Sequence, residues 1–414
     1  MTTFLAGRRR RLVRAAIFFV AVGTLALASR PAGAAELPTA PGTDRGSSCA
    51  ALARGSSLPP APSRVQREWI DRCVRLNQIQ VVGTHNSFHV QPSPGLFSLL
   101  TAFDPLLAMS LEYTHRPLTE QLELGMRQLE LDVFADPAGG LYADPVGQQL
   151  APGPPVDPGG ALLSPGFKVL HVQDIDFRTR CLTLVACLTE VRAWSDAHPE
   201  HVPIMILIET KDDPIPDPGL GFVVPLPIGA AELDALDAEI RSVFPASQLV
   251  TPDAVRGDHA TLADAVTTDG WPLLGDSRGK VLFTLDNTDE RRDVYLDGRP
   301  SLEGRAMFVS SEPPAPSAAF VKLNDPVVDS TRIRALVAAG FVVRTRADAD
   351  TIQARTGDIV PRDAALASGA QWVSTDYPDP SPFGTGYVVR LPDGLPARCN
   401  PVLTWAGCRS LLLE

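Results

Sequence analysis

This chain lacks the short signatures that mark two of the commoner catalytic classes. Its 414 residues hold no Walker loop and no H-E-x-x-H pair, which excludes the motif-bearing nucleotidases and zinc proteases. No C-x-x-C pair exists and the cysteines lie far apart, which argues against a structural zinc cluster. Past residue 34 no apolar run reaches the roughly 18–20 residues of a membrane-spanning helix. No internal repeat is visible. Basic charge is short: 37 Lys and Arg stand against 48 Asp and Glu, a net formal charge of −11. Arg8, Arg9, Arg10, Arg11, Arg14 and Arg30 all fall within the first 34 residues, where there is no acid, so the remainder is more acidic still. An acidic body disfavours nucleic acid and tight electrostatic docking on anionic bilayers.

What is present begins with a leader. An arginine cluster, the short apolar run AAIFFVAVGTLALA and the small-residue site Ala32-Gly33-Ala34 predict a signal peptide over 1–34, cut after Ala34. The run Arg9-Arg10-Arg11-Leu12-Val13 leaves Sec and twin-arginine export both open. No Cys lies near the cleavage site, so a lipoprotein anchor is not expected. Export makes disulfides the natural reading of the six cysteines. Sequence proximity pairs Cys49 with Cys73, Cys181 with Cys187 and Cys399 with Cys408, one of about 15 possible schemes. Residues 35–65 are rich in Ala, Pro, Ser and Gly and read as a flexible leader. Residues 66–414 read as one catalytic domain, expected to be a monomer.

Strand candidates fall at 79–83, 127–133, 168–172, 204–210, 280–285, 306–310, 341–345 and 371–375. Their near-continuous Val, Ile and Leu read as strands buried on both faces. Helical spacing recurs between most of them, at 118–126, 188–198, 230–243, 331–339 and 361–368. Strands alternating with helices predict an α/β fold, a single-domain (β/α)8 TIM-type barrel with long loops at its C-terminal face. The two longest loops, 89–115 and 136–166, follow the first two strands. Leu96, Phe97, Leu99 and Leu100 in the first form an apolar patch, either an element that dips into a lipid interface or a small helix packed on the rim.

Polar groups then appear where the apolar runs stop: His85 and Asn86 in VVGTHNSFH, Glu130 and Asp132 in RQLELDVF, His171 in KVLHVQD, Glu209 in PIMILIETKDD. In a parallel barrel these positions build the active site. Glu130 and Asp132 are two apart, so both point to one face. Two unpaired carboxylates in an interior are costly. A bound cation removes that cost; so do arginines on adjacent strands, such as Arg344 or Arg346. Glu209 closes the most hydrophobic run in the chain, and Asn86 adds an amide oxygen. Three carboxylates and an amide suit calcium, with positions left for water and substrate. His85 and His171 suit proton transfer. Lys211, on the same face as Glu209, either holds a phosphate oxygen or neutralises the acids. Arg344 and Arg346 end one strand, and Asp376 and Tyr377 another; guanidinium groups match phosphate and vicinal hydroxyls. His115, beside the first long loop, is a further candidate for the mouth.

The ordered segments GTHNSFH, PLTEQLELGMRQLELDV, FKVLHVQDIDFRTRC and ILIETKDD resemble the secreted actinobacterial, calcium-dependent phosphatidylinositol-specific phospholipase C family. FVVRTRAD and GAQWVSTDYP extend the resemblance more loosely, and are also similar to glycerophosphodiester phosphodiesterases. The resemblance implies His85 and His171 as the catalytic histidines, with Glu130 as an alternative base, and Asn86, Glu130, Asp132 and Glu209 as the Ca2+ ligands. Metal-independent bacterial relatives carry an arginine where the ion sits; the acids here imply a calcium enzyme. It further implies a phospholipid substrate met at a membrane interface; Lys211, Arg344, Arg346, Tyr377 and His115 are the expected substrate-facing residues on the strand-end chemistry above. Two other readings stay open: a phosphodiesterase that uses water on glycerophosphodiesters, and a secreted binding protein on an inactive barrel.

Overall fold

The computed structural model describes residue 49, residues 63–403 and residues 408–414. The expected signal peptide at 1–34 lies outside them, as does most of the 35–65 leader. The strands are β1 (Ile79–Thr84), β2 (Gln128–Phe134), β3 (Lys168–Val169), β4 (Ile204–Thr210), β5 (Val281–Leu285), β6 (Met307–Val309), β7 (Phe320–Lys322), β8 (Val342–Arg346), β9 (Trp372–Thr375) and β10 (Arg398–Cys399). They form two five-stranded sheets, β10-β1-β9-β8-β7 and β3-β2-β4-β5-β6. Pairing is parallel throughout except at the edges, where β10 lies antiparallel to β1 and β3 antiparallel to β2.

The α/β class expected from the sequence is present, but the strand ladders give two sheets rather than one closed eight-stranded ring. The sheets approach each other along two seams. At β1 and β2, Arg127 N donates to Val82 O at 2.9 Å and Ser87 N donates to Glu130 O at 2.9 Å. At β6 and β7, Ser310 and Phe320 make a parallel bridge, with Ser311 N donating to Phe320 O at 3.1 Å.

Two strand assignments change. Residues 168–172 are not a parallel stave: only Lys168–Val169 is strand, and Val169 pairs antiparallel with Val133. A parallel neighbour needs a crossover of a dozen or more residues, usually a helix. Here 136–166 holds only the short helix Val146–Leu150 and a 3-10 turn at Ala161–Leu163, so the chain folds straight back. The missing parallel strand is β7, whose three residues, Phe320, Val321 and Lys322, are too few to show a period.

Helices cover the outer faces. Leu184–Ala197 is capped by Thr183, whose side chain accepts from Ala186 N, and it buries Leu184, Cys187, Leu188, Val191 and Trp194 at helical spacing. Ala230–Val243 does the same with Leu233, Leu236, Ile240 and Val243. Between them and the neighbouring sheet, Ile204 to Ile208 of β4 are fully buried. Each such aliphatic side chain contributes about 1.5–3 kcal/mol on burial, which offsets the cost of the charges at the strand ends. All three expected disulfides are present, with Cα–Cα distances of 5.5, 5.3 and 6.0 Å. Among the described residues no helix is long and apolar enough to cross a membrane.

The apolar patch of the first loop resolves into a helix, Pro94–Phe103, followed by Pro105–Ser110. Leu96 and Leu100 face inward against Leu111 and Phe177, whereas Leu99 and Leu106 are exposed.

Candidate active site

Six of the predicted residues meet near the ends of β1, β2 and β4: His85, Glu130, Asp132, Glu209, Lys211 and Arg344. Glu130 and Asp132 share one face of β2, and parallel register sets Glu209 of β4 beside Asp132. One oxygen from each of the three lies within 4.8 Å of the others. Asn86 directly follows His85 beyond β1, with a positive φ of 44°. That conformation turns its side chain back: Nδ2 donates to Tyr113 OH at 3.2 Å, and the buried Oδ1 has no hydrogen-bond partner. Neither oxygen of Asp132 makes a hydrogen bond either, although Lys211 Nζ lies 3.2 Å from Oδ2. Burial pushes Glu130 up to about 7, against the pull of Arg344, and raises Asp132 well above the carboxylate range, against Lys211. Orphaned oxygens and carboxylates resisting ionisation mark a cluster short of positive charge. An oxygen-only donor set of three acids and an amide fits a hard divalent cation.

The two histidines are held alike. His85 Nδ1 lies 2.8 Å from Asp376 Oδ1, and His171 Nδ1 lies 2.7 Å from Asp176 Oδ2. A carboxylate on Nδ1 holds the proton there and leaves Nε2 free. His85 Nε2 stands 3.7 Å from Glu130 Oε1. Burial, aided by the Arg346 guanidinium, pushes His85 down to about 3, so the ring is neutral at ordinary pH. Burial alone would raise Asp376, but His85 and Arg346 outweigh it and hold the acid below its usual range. His89 and His171 do the same for Asp176. His171 does not come from the end of a parallel strand; it follows the short antiparallel β3.

Behind these pairs lies a support layer the sequence reading did not assign. His89 is fully buried, with Nε2 2.9 Å from Asp176 Oδ2 and Nδ1 3.1 Å from Tyr113 O. Its ring stacks on Tyr113 at 4.2 Å, and Tyr113 in turn holds Asn86. Asp348 receives Asp376 N at 2.8 Å and hydroxyls from Thr375 and Tyr387. Lys322 of β7 donates to Asp286 Oδ2 at 2.5 Å, beyond β5. The five-residue spacing of His171 and Asp176 in HVQDIDF was visible in the sequence. Asp376 and His85 are 291 residues apart, and no local pattern joins them.

The expected substrate-facing residues divide. Arg344 is buried, and each of its nitrogens already donates: Nη2 to Glu130 at 2.5 Å, Nη1 to Asn324 at 2.6 Å, Nε to Ser374 at 2.7 Å. The arginine partner weighed for Glu130 is therefore real. Arg346 is more open, with Nε on Asp348 O at 3.0 Å and Nη2 3.5 Å from Asp376. Lys211 bridges Asp132 and Glu209 and is partly exposed. His115 does not line the mouth; it is buried, and its Nε2 lies 2.8 Å from His85 O. Tyr377 is buried with Tyr387 and Phe383.

Carboxylates, an orphaned amide oxygen and two Asp-held imidazoles, one beyond a parallel strand and one beyond the short antiparallel β3, define an α/β protein equipped for cation binding and acid–base chemistry. Residues 74–401 match the family model "Phosphoinositide phospholipase C, Ca2+-dependent", and the chain belongs to that family. Among curated proteins none matches. Among solved structures the chain is similar to a calcium-dependent phosphoinositol-specific phospholipase C from a Pseudomonas species, apo form, at 17% identity and a TM-score of 0.47, covering 78% of this chain and 95% of that one. It is also similar to a Ca2+-dependent phosphatidylinositol-specific phospholipase C from Streptomyces antibioticus, at 19% identity and a TM-score of 0.45, covering 73% and 94%.

Proposed function

We propose that this calcium-dependent phosphoinositide phospholipase C is exported and cleaves phosphatidylinositol at a membrane interface. The inositol 2-hydroxyl attacks phosphorus, diacylglycerol leaves and an inositol cyclic phosphate forms. The reading rests on one observation: two histidines, each with Nδ1 on a buried aspartate, accompany a carboxylate cluster in which neither oxygen of Asp132 has a hydrogen-bond partner, nor does the nearby Asn86 Oδ1. Asn86, Glu130, Asp132 and Glu209 would hold the ion. When bound, a divalent cation neutralises phosphate charge and acidifies a nearby hydroxyl.

The protein's own groups do the rest. His85 Nε2, kept neutral and aimed at the cluster, takes the proton of the attacking hydroxyl, with Glu130 as the adjacent alternative base. His171, oriented by Asp176 at Nδ1, gives a proton to the departing glycerol oxygen. Arg346 and Lys211 are the cations open enough to meet phosphate or hydroxyls; Arg344, Tyr377 and His115 position their neighbours. The two seam contacts support one closed eight-stranded barrel, with β3 and β10 as additions at its ends. Three disulfides and the arginine-rich leader support export. The working unit is taken to be a monomer.

Incubation with phosphatidylinositol, with and without a chelator, tests the reading. Expected are diacylglycerol and a cyclic inositol phosphate, formed only with calcium. Free glycerol phosphate from glycerophosphodiesters would instead identify the water-using phosphodiesterase, and chelator-insensitive cleavage would overturn the calcium assignment.

A further inference from the structure

We propose that Lys211 is a tethered stand-in for the divalent cation, holding the ligand cluster together when calcium is absent and leaving when it arrives. The inference rests on the calcium reading above and adds a competitor built into the chain. Lys211 follows β4 directly, and its backbone N continues the ladder by donating to Val133 O at 2.9 Å. Its root is therefore fixed, and its stem reaches back over the strand end. There Nζ lies 2.9 Å from Glu209 Oε2 and 3.2 Å from Asp132 Oδ2, two of the three acids that converge. The third, Glu130, is already held by Arg344 from β8.

The contrast between the two cations carries the argument. Arg344 is locked: buried, with every nitrogen engaged by a side chain of a neighbouring strand or loop. Lys211 has its ion pairs with the two ligand acids, and its side chain is 22% exposed, so a path outward exists. An ammonium is a compact, strongly hydrated charge on a flexible stem, suited to leaving for water; a guanidinium fork is not. Asp132 remains without a true hydrogen bond despite its lysine neighbour, and Asn86 Oδ1 has no partner at all. Lys211 thus meets the charge of the cluster without meeting its coordination. A divalent ion would satisfy both and, at such range, would repel the ammonium strongly.

Two consequences follow. The calcium-free protein is more stable than three bare, clustered carboxylates would allow. Calcium binds more weakly than its ligands alone would permit, because the lysine must be displaced.

The test uses the full protein with Lys211→Met, Lys211→Gln and Lys211→Arg, with calcium ion alone as the ligand. Calcium affinity is measured by isothermal titration, and thermal unfolding is followed with chelator and with calcium. For the Met and Gln variants we expect a lower Tm in chelator, a larger calcium-induced rise in Tm, and affinity tighter by about tenfold or more, since one positive charge no longer opposes a divalent ion. The Arg variant keeps the charge but leaves less readily, so its Tm in chelator stays near wild type while its calcium affinity falls below it. A Met variant that folds only with calcium is an extreme form of the same result, and the Gln variant then supplies the affinity. Unchanged or weaker calcium binding in both neutral variants would overturn the stand-in role alone. Absence of calcium binding in the wild type would overturn the metal site itself, and this inference with it.

Discussion

His85 and His171 have the same local construction, an Nδ1 on a buried aspartate and an Nε2 left open, although one follows a parallel strand and the other a two-residue antiparallel one. Each acid–base role is worth about 10²–10⁴ in rate. His85→Ala and His171→Ala are therefore expected to lower turnover on phosphatidylinositol by about that factor each, with Tm close to wild type. Near-normal turnover in either purified variant would remove that histidine from the chemistry. The two histidines and the four residues proposed as oxygen ligands could be picked out from the sequence, because each lies in or directly after an apolar run. Their partners differ: Asp176 lies five residues from His171 and was visible beside it, whereas Asp376 lies 291 residues from His85, so only folding brings it to that ring. His115 shows the reverse case, a histidine near the mouth in sequence that the fold turns inward beneath His85.

Among the elements, the β1–β2 seam is the most constrained. A Cβ built on Gly83 would stand 2.2 Å from Gln128 O and 2.3 Å from Gln128 Cβ, so the two strands approach as closely as they do only because that side chain is absent. Those strands carry Asn86 and Glu130 to the same place. Gly83→Ala is expected to destabilise the protein by about 1–3 kcal/mol, the usual cost of overpacking. Activity should fall as well, since the seam sets the spacing of the cluster; denaturant unfolding and turnover check both. A variant with wild-type stability would mean that the seam yields. Elements long enough to show a period were legible from sequence, Ala230–Val243 to the residue. Strands of two or three residues were not, because β3 and β7 exist only through their partners.

At the scale of the whole molecule, charge and burial compete. The protein concentrates buried titrating groups on one side and also keeps a neutral histidine elsewhere. His201 is buried, with Nδ1 2.7 Å from Val202 O and Nε2 2.7 Å from Ser195 Oγ, and burial lowers its pKa below 6.5. A folded pKa below the unfolded one means that the unfolded chain takes up the proton first. This contribution to stability is intact above about pH 6.5 and is lost as pH falls from there toward the folded pKa. His201→Gln should therefore lose less Tm than wild type between about pH 7 and pH 5.5. Parallel pH profiles for the two proteins would dismiss the role. The exposed leucines of the loops after β1, β2 and β4, among them Leu99, Leu106, Leu150, Leu163 and Leu220, belong to this scale too. They follow the C-terminal ends of the strands, and under the proposed function they stand where a lipid substrate would arrive.

The sequence by itself determined the α/β class, the family, the cysteine pairing and the identity of the residues that end the strands in polar groups. All of these depend on local composition: a long apolar run needs burial, and a polar residue closing it needs a reason. Only the tertiary structure decided that the ladders divide into two sheets with two seams, that β3 turns back, and that β7 takes a place among the parallel strands. It alone decided which aspartate aims each imidazole, and that Lys211 and Arg344 already share the acids proposed to hold the cation. Most of these choices are made by groups far apart in the chain, as with His85 and Asp376 or Arg344 and Glu130, and no short window of sequence contains both.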